Sequence, residues 1–595
     1  MGKKNIKILL SLFIALLLSL SACSPAVEKS ETGDDSRALT WIYQDSYSGF
    51  LEQLGESCPD IELETLSFAG ANVTGYSWAQ MRADDIADIY NTSQILDEDL
   101  ASQRLADLSA YDFINRLPTS VLDQVSIDGG VYLLPVAYNM FGINYNQTLM
   151  EEKGWELPTN FSELETLCGE IRAEGLTPGY IPADLTGHAF SGVLNLAKTD
   201  WLTTPAGAVW ERDFLAGNAA AAGQWEQTMD YVQRYLDIGM YTADPEDRSY
   251  RELLEEELGE RRAVFLTGSQ PLTSAVLPNG DKLGMMPYIG EDGSKNIYMY
   301  SPSGYIGISK RLTEPGNEKK LEDAIRILSL IYSPEGQATF LSEKSPCTMS
   351  VLENAQIPEG SLLYDAQRAM RDGRAFRMTY THWENVLADM GQAYKEWFRG
   401  ENGMDGAACI ARMDELQDAN IHNTDQMYFC ESTADFTLKE TAELVGKALG
   451  STVGADAAII PYGDGVYHDS GVQLSAGITG KLYQDRINID VSNTIVPSYN
   501  GEYAILTMTG AQAKELVQGG FDAGDGIPFL YLLVMRGGGE PEDSKTYRVA
   551  FLMNSYTEEA GAAYNAQVKE GAIRDIMRDW LSEQKTVSPS GTPWN

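Results

Sequence analysis

Residues Val131 to Asn146, VYLLPVAYNMFGINYN, constrain this chain more than any other stretch. The run is apolar and aromatic enough to demand burial, yet Pro135 lacks the amide that a central strand or a helix interior needs. It reads as two short strands joined across a kink. Strand-like runs precede it: Leu39-Thr40-Trp41-Ile42-Tyr43, the alternating Ile61-Glu62-Leu63-Glu64, and Ala87-Asp88-Ile89-Tyr90, which ends at polar Asn91-Thr92-Ser93. Trp41, inside the first of these, is expected in a core. A helix follows, with Asn160 as cap and Glu163 three residues on. Its face is Phe161, Leu164, Leu167, Cys168 and Ile171, and Gly175 and Pro178 close it. A second helix starts near Lys320, carries Leu321, Ala324, Ile325, Leu328 and Ile331 on one face, and stops at Ser333-Pro334.

At 595 residues the chain is long enough for three or four structural units. Its 86 Asp and Glu against 44 Lys and Arg give a net charge of −42, a field that repels polyanions and argues against a nucleic-acid partner. With 43% hydrophobic residues and 31 Tyr, intrinsic disorder is disfavoured. Runs such as Asp84-Asp85 and Glu255-Glu256-Glu257 read as solvated faces.

The N-terminus carries Lys3, Lys4 and Lys7, an apolar run from Ile8 to Leu20, and then Leu20-Ser21-Ala22-Cys23. The run is short for a permanent membrane span and fits the core of a signal peptide. The four residues ending at Cys23 resemble the bacterial lipobox, which implies cleavage before Cys23 and lipidation of its thiol. Residues 23–38 are polar and read as a flexible tether. The remaining cysteines are Cys58, Cys168, Cys347, Cys409 and Cys430, with no C-x-x-C pair to suggest zinc or redox chemistry. Cys409 and Cys430, the closest in sequence, are the candidate bridge.

Five segments in order carry a resemblance over residues 39–420: GVYLLPVAYNMFGINYNQTLMEEKGWELPTNFSELETL, LTPGY, ERRAVFLTGSQ, SPSGYIGISKRL and LIYSPEGQATFLS. Together they resemble the extracellular solute-binding proteins of bacterial ABC importers, especially the sugar-binding type. The resemblance implies two α/β lobes joined by hinge strands, a periplasmic-binding-protein type II body, with ligand in the cleft between them. Ligands in such sheets lie beyond the carboxyl ends of strands, and sugars need aromatic faces and planar polar groups. The cleft candidates are Tyr43, Gln44, Asp45, Asn91, Thr92, Tyr138 and Asn139, with Asp184, Gln270, Ser303 and Tyr305 expected from the second lobe and His188 as a further cleft residue.

Beyond a linker at 421–435, Thr437 to Glu440 is a capping box opening a helix with Leu438, Thr441, Val445 and Leu449 in register. A buried strand at 454–460, a strand from Tyr503 to Met508, a second capping box at Thr509 to Gln512 and a strand at 545–550 follow. The GAD strand, the TGAQ helix start and the KTYRVA strand resemble the C-terminal domain of 5′-nucleotidases, an α/β (α+β) module, over 436–585, leaving 586–595 as a tail. That family binds phosphate through Asn-Gly-Gly-Gly-Ile-Arg; here Pro461-Tyr462-Gly463-Asp464-Gly465-Val466-Tyr467 places Tyr467 for the arginine and adds the charge of Asp464. Of the two base-stacking aromatics the resemblance implies, Tyr499 corresponds to one, and Asn554 stands at the other. The only histidines, His188, His382, His422 and His468, stand apart, without the clustering that a dinuclear phosphatase requires.

These readings predict a non-enzymatic, cofactor-free and metal-free receptor, extracytoplasmic and held to the membrane by lipid on Cys23. It would capture a small solute, a sugar favoured, and deliver it to an ABC permease. The alternative is a nucleotide- or nucleoside-binding protein, or a hydrolase accessory acting through the C-terminal module.

Overall fold

The structure is a computed structural model and describes residues 38–43, 47–67, 73–183, 188–268, 272–378, 383–422, 428–463, 476–488, 491–492, 495–496, 502–522, 528–554, 557–569, 573–592 and 594. Met1–Ala38 forms one unit, of which only Ala38 is described, and Leu39–Asn595 forms the other. Cys23 and its lipobox lie outside the described residues. Among the described residues no helix is long and apolar enough to cross a membrane.

The chain opens with β1 (Leu39–Tyr43), β2 (Leu63–Ser67), helix α1 (Val73–Ala83) and β3 (Ile89–Thr92). The run from Val131 to Asn146 then splits more finely than two strands. After Gly130–Val131 come β4 (Leu134–Pro135), β5 (Tyr138–Phe141) and β6 (Ile143–Asn146), and each of these three belongs to a different sheet. The proline sits in β4, at the edge of its sheet, where a missing amide costs no ladder bond. Gly142 separates β5 from β6 at a point where a Cβ would lie 2.3 Å from the carbonyl oxygen of Met286.

Helix α2 (Phe161–Ala173) buries all five residues of its expected face, and Asn160 accepts from the Glu163 amide at 3.0 Å. The chain continues through β7 (Thr177–Ile181), α3 (His188–Ala197), β8 (Thr242–Ala243), β9 (Ala263–Thr267) and β10 (Leu283–Met286). It returns through β11 (Tyr298–Pro302) to β12 (Tyr305–Ile308), α4 (Glu318–Ile331) and α5 (Pro334–Phe340). Ser333-Pro334, expected as a stop, also starts α5: Ser333 accepts from the Gly336 amide and Pro334 fills the first helical position. After β13 (Thr348–Met349), β14 (Ala375–Arg377) leads to α6 (Glu384–Arg399) and α7 (Gly406–His422).

Three larger sheets result among the described residues up to α7, beside a two-stranded hairpin of Ser126–Ile127 and Gly130–Val131. The first lobe has the order β2-β1-β3-β12-β4 and the second β8-β7-β9-β6-β10, each over its own hydrophobic core. Between them, β13-β5-β11-β14 is a sheet built from the segments that pass from one lobe to the other. Trp41 is fully buried in the first core, as expected from its strand.

Two acidic runs do not simply face water. Asp85 accepts from Lys481 and Tyr483. Glu257 is only 5% exposed, because a π-helical turn at Leu253–Leu258 rotates it toward Arg248 and Arg262. Cys409 and Cys430 do not bridge. All five cysteines from Cys58 onward are free thiols, Cys409 in the core of the second lobe and Cys430 in the C-terminal core.

The C-terminal module begins with β15 (Cys430–Ser432), inside the stretch expected as linker. Helix α8 (Leu438–Val453) follows with its capping box in place, then β16 (Ala457–Tyr462), β17 (Arg486–Ile487), β18 (Glu502–Thr509) and α9 (Gly510–Gln518), also with a capping box. Next are β19 (Gly520–Asp522), β20 (Pro528–Met535), β21 (Thr546–Met553), β22 (Gln567–Lys569), α10 (Ile573–Gln584) and β23 (Thr586–Val587). The main sheet, β19-β20-β16-β21-β18-β22, is buried on both faces. Ala458 and Ile460 pack on one side, Ala457 and Ile459 on the other. Residues 586–595 are not a free tail: β23 pairs parallel with β15, and Trp594 is buried against Gly450.

Candidate functional site

In the first lobe β1, β2 and β3 run parallel, and β12 runs antiparallel to β3 with Tyr305 opposite Thr92. Tyr305, expected from the second lobe, therefore begins its strand in the first, at the carboxyl edge where β1 and β3 end, because the chain has already crossed back through β11. In the second lobe β7, β8 and β9 are parallel, so Ile181, Ala243 and Thr267 mark the matching edge. The crossing sheet joins the two lobes.

Several expected residues meet here. Asn91 accepts from Trp41 Nε1 at 2.5 Å and donates to the Tyr305 carbonyl at 3.1 Å, so it fixes the spacing of β1, β3 and β12. Thr92 is buried, accepts from Ser77 at 3.0 Å and donates to the Gln94 carbonyl. Both serve the frame of the edge more directly than its surface. Tyr138 packs edge-on against Tyr300 with ring centroids 5.0 Å apart. Asn139 accepts from Thr348 Oγ1 at 2.7 Å. The Ser303 amide donates to the Ala137 carbonyl, while its hydroxyl oxygen is buried with no hydrogen-bond partner among the described residues. Tyr305 is buried, and its hydroxyl accepts from Arg377 Nη2 at 2.9 Å.

Burial pushes the phenols of Tyr138, Tyr300 and Tyr305 up from their ordinary value, so all three are neutral donors and acceptors at any physiological pH. Neighbouring Arg377 pulls the other way on each.

Gln44, Asp45, Asp184, Gln270 and Tyr499 lie outside the described residues, as do Asp464 and Tyr467. Tyr43 ends β1 and His188 begins α3, but their side chains are outside the description as well. Sequence reasoning missed Arg377, Tyr300 and Gln124, which accepts from Tyr300 Oη at 3.1 Å. The aromatic alternation Tyr298, Tyr300 ahead of SPSGY was a usable signal for the tyrosine. No signal marked the other two.

Residues 55–362 match the family model described as bacterial extracellular solute-binding protein. A multiple sugar-binding protein of Streptococcus mutans is 27% identical over 113 residues. That match covers 19% of this chain and 27% of the relative, so the chain spans about a quarter of the length of the curated relative it matches. Among solved structures, a putative binding protein MsmE of Bacillus subtilis, in an open conformation, is 16% identical with a TM-score of 0.53. It covers 66% of this chain and 99% of its own. A probable secreted solute-binding lipoprotein of Streptomyces coelicolor is 15% identical with a TM-score of 0.53, covering 64% of this chain and 99% of its own. At these identities the structural likeness speaks for the fold alone. With the two lobes, their crossing sheet and a family match over more than half of its length, the chain belongs to the bacterial extracellular solute-binding proteins.

Proposed function

We propose that this protein is the lipid-anchored receptor of an ABC importer, capturing a carbohydrate between its two lobes and presenting it to the permease without chemical change. The observation that carries this reading is the junction of crossing sheet and strand edge, where Tyr138, Tyr300 and Tyr305 gather beside Asn139, Ser303 and Arg377. The three rings are buried and wall the junction, while half-buried Asn139 and exposed Arg377 leave planar hydrogen-bonding groups at its surface, which suit the hydroxyls of a sugar. The sugar-binding name of the Streptococcus mutans relative supports the same solute class. Lipid on Cys23 is the proposed anchor.

The C-terminal module, read as a degenerate 5′-nucleotidase-like domain, has a binding or spacing role in this scheme. Asn554 supports that role: it donates to the Ala476 carbonyl at 3.0 Å, a structural bond at a position where an aromatic ring would stack on a base.

Thermal shift and calorimetry across neutral and acidic saccharides, nucleosides and short peptides test the assignment. Stabilisation by at least one saccharide is expected, and a response confined to nucleosides or peptides overturns it. Metabolic labelling with a fatty-acid analogue, lost in Cys23→Ser, tests the anchor. Release of phosphate from AMP with a divalent metal, abolished by EDTA, would reverse the non-catalytic reading.

A further inference from the structure

Among the described residues Arg377 stands without an acid partner, in a chain with 86 carboxylates and 44 Lys and Arg. Arg104, Arg234, Arg248, Arg261 and Arg326 each pair with an acid. Of those that do not, Arg116 and Arg371 donate to main-chain carbonyls, while Arg377 shares its lack of either partner, among the described residues, with Arg536, Arg548 and Arg574, which lie in the C-terminal module away from the two lobes. Arg377 does neither. Among the described residues no carboxylate pairs with it, and its hydrogen bond goes to Tyr305 Oη at 2.9 Å. A guanidinium has five donors, so most of its capacity is open, and the residue is exposed.

Its position gives that capacity a direction. Arg377 ends β14, opposite Tyr300 in the crossing sheet, and touches the residue that opens β12 at the carboxyl edge of the first lobe. The bond to Tyr305 holds one nitrogen and fixes the plane of the fork. A planar, pre-oriented guanidinium matches a carboxylate bidentately, which a neutral hydroxyl cannot reproduce. The acidic surface as a whole opposes an incoming anion, but beyond about 8 Å it is screened at physiological ionic strength, so the contact decides.

We infer that the captured solute carries a carboxylate, an acidic saccharide of the uronic-acid type, and that Arg377 grips it while Tyr305 orients the guanidinium. This rests on the carbohydrate reading above and deepens it.

The test compares matched saccharides by calorimetry: oligosaccharides containing glucuronic or galacturonic acid against their neutral glucose or galactose counterparts, and sulfated versions of the neutral ones. The acidic sugar is expected to bind roughly ten- to a hundredfold tighter, the range a charge-assisted hydrogen bond commands. Arg377→Gln should erase that preference, so that acidic and neutral sugars bind it alike. Arg377→Lys, which keeps the charge without the fork, should retain part of it and serves if the glutamine variant folds poorly. Equal or better binding of neutral sugars, preference for the sulfated ones, or a preference unchanged in Arg377→Gln overturns the inference. If no saccharide binds but a carboxylate-bearing peptide or nucleoside derivative does, through Arg377, the carbohydrate reading fails while the role of Arg377 stands. Silence from every compound overturns both.

Discussion

The carboxylate of Asp85 accepts from Lys481 Nζ at 3.0 Å and from Tyr483 Oη at 2.9 Å, tying the C-terminal module to the first lobe. Arg82 pairs with Asp485 beside it, and the ring of Tyr483 is buried with Ala79, Ile42 and Ala83. Exposed ion pairs are worth about 0–1 kcal/mol, whereas an aromatic ring withdrawn from water contributes a few. Lys481→Ala should therefore leave docking nearly intact, while Tyr483→Ala releases the module. Hydrogen exchange in α1 checks this: amides of Ala79 to Ala83 should lose protection in Tyr483→Ala and keep it in Lys481→Ala. The opposite ranking would mean that charge holds the contact.

The network around Arg248 sets an acid limit on the second lobe. Asp244 and Glu257 are fully or nearly buried, and Arg248 bonds both. Burial pushes each carboxyl up, but the bonds from Arg248 to Asp244, and from Arg262 and Arg248 to Glu257, outweigh it and hold both below their ordinary values. A carboxylate with a depressed folded value binds fewer protons folded than unfolded. Its contribution is complete above the ordinary range near pH 4 and is lost as pH falls from there through the depressed folded value. The melting temperature should be flat from pH 7 to about 5 and fall below that. Arg248→Met, which leaves buried Asp244 without its ion-pair partner and Glu257 with Arg262 alone, should cost about 3–5 kcal/mol at pH 7. A variant melting within a degree of the parent would show that the network contributes little.

The thiols offer a chemical check. Burial pushes Cys168 and Cys409 up to about 12 and Cys430 to about 11, and raises Cys347 as well. Thiolate is the reactive form, so at pH 7.5 iodoacetamide should modify the half-buried Cys58 in the folded protein and spare these four. In denaturant without reductant all five should react, as read by mass spectrometry of the digest. A peptide linking Cys409 and Cys430 in the unreduced digest would contradict their placement in separate cores.

Local signals were legible where a pattern repeats. The face of α2 and both C-terminal capping boxes were readable because helix periodicity and cap chemistry act within a few residues. The run from Val131 to Asn146 was legible as buried and broken, but not as three strands in three sheets, since burial does not say which core a residue enters. Trp594 was invisible for the opposite reason: one aromatic at the end of a polar stretch makes no period, yet it packs on Gly450. At the site, Tyr305 could be reached from its place after a strand turn, whereas its partner Arg377 lies 72 residues away on a strand of three. Glu257 shows the limit of charge-run arguments, because a local π-turn decides which way one glutamate of three points.

Gly142 is where the crossing from first to second lobe is most sensitive to sequence. It stands between β5, in the crossing sheet, and β6, in the second lobe. A Cβ there would meet the Met286 carbonyl oxygen at 2.3 Å, Met285 Cγ at 2.9 Å and Tyr298 Cδ1 at 3.2 Å. Met286 is paired with Ile143 in the ladder between β10 and β6, so its carbonyl cannot retreat without disturbing that pairing. Gly142→Ala should therefore destabilise the protein by about 1–3 kcal/mol, the usual cost of overpacking, through strain and not through lost burial. The second lobe's pairing should suffer first. Hydrogen exchange should rise at Ile143 to Asn146 and Leu283 to Met286 before it rises in β1 or β3. The control Gly129→Ala lies in a turn with open space around it, and there the cost is only that of a positive φ. Equal exchange profiles for the two variants would mean that the crossing tolerates the added atom and that Gly142 is not its fixed point.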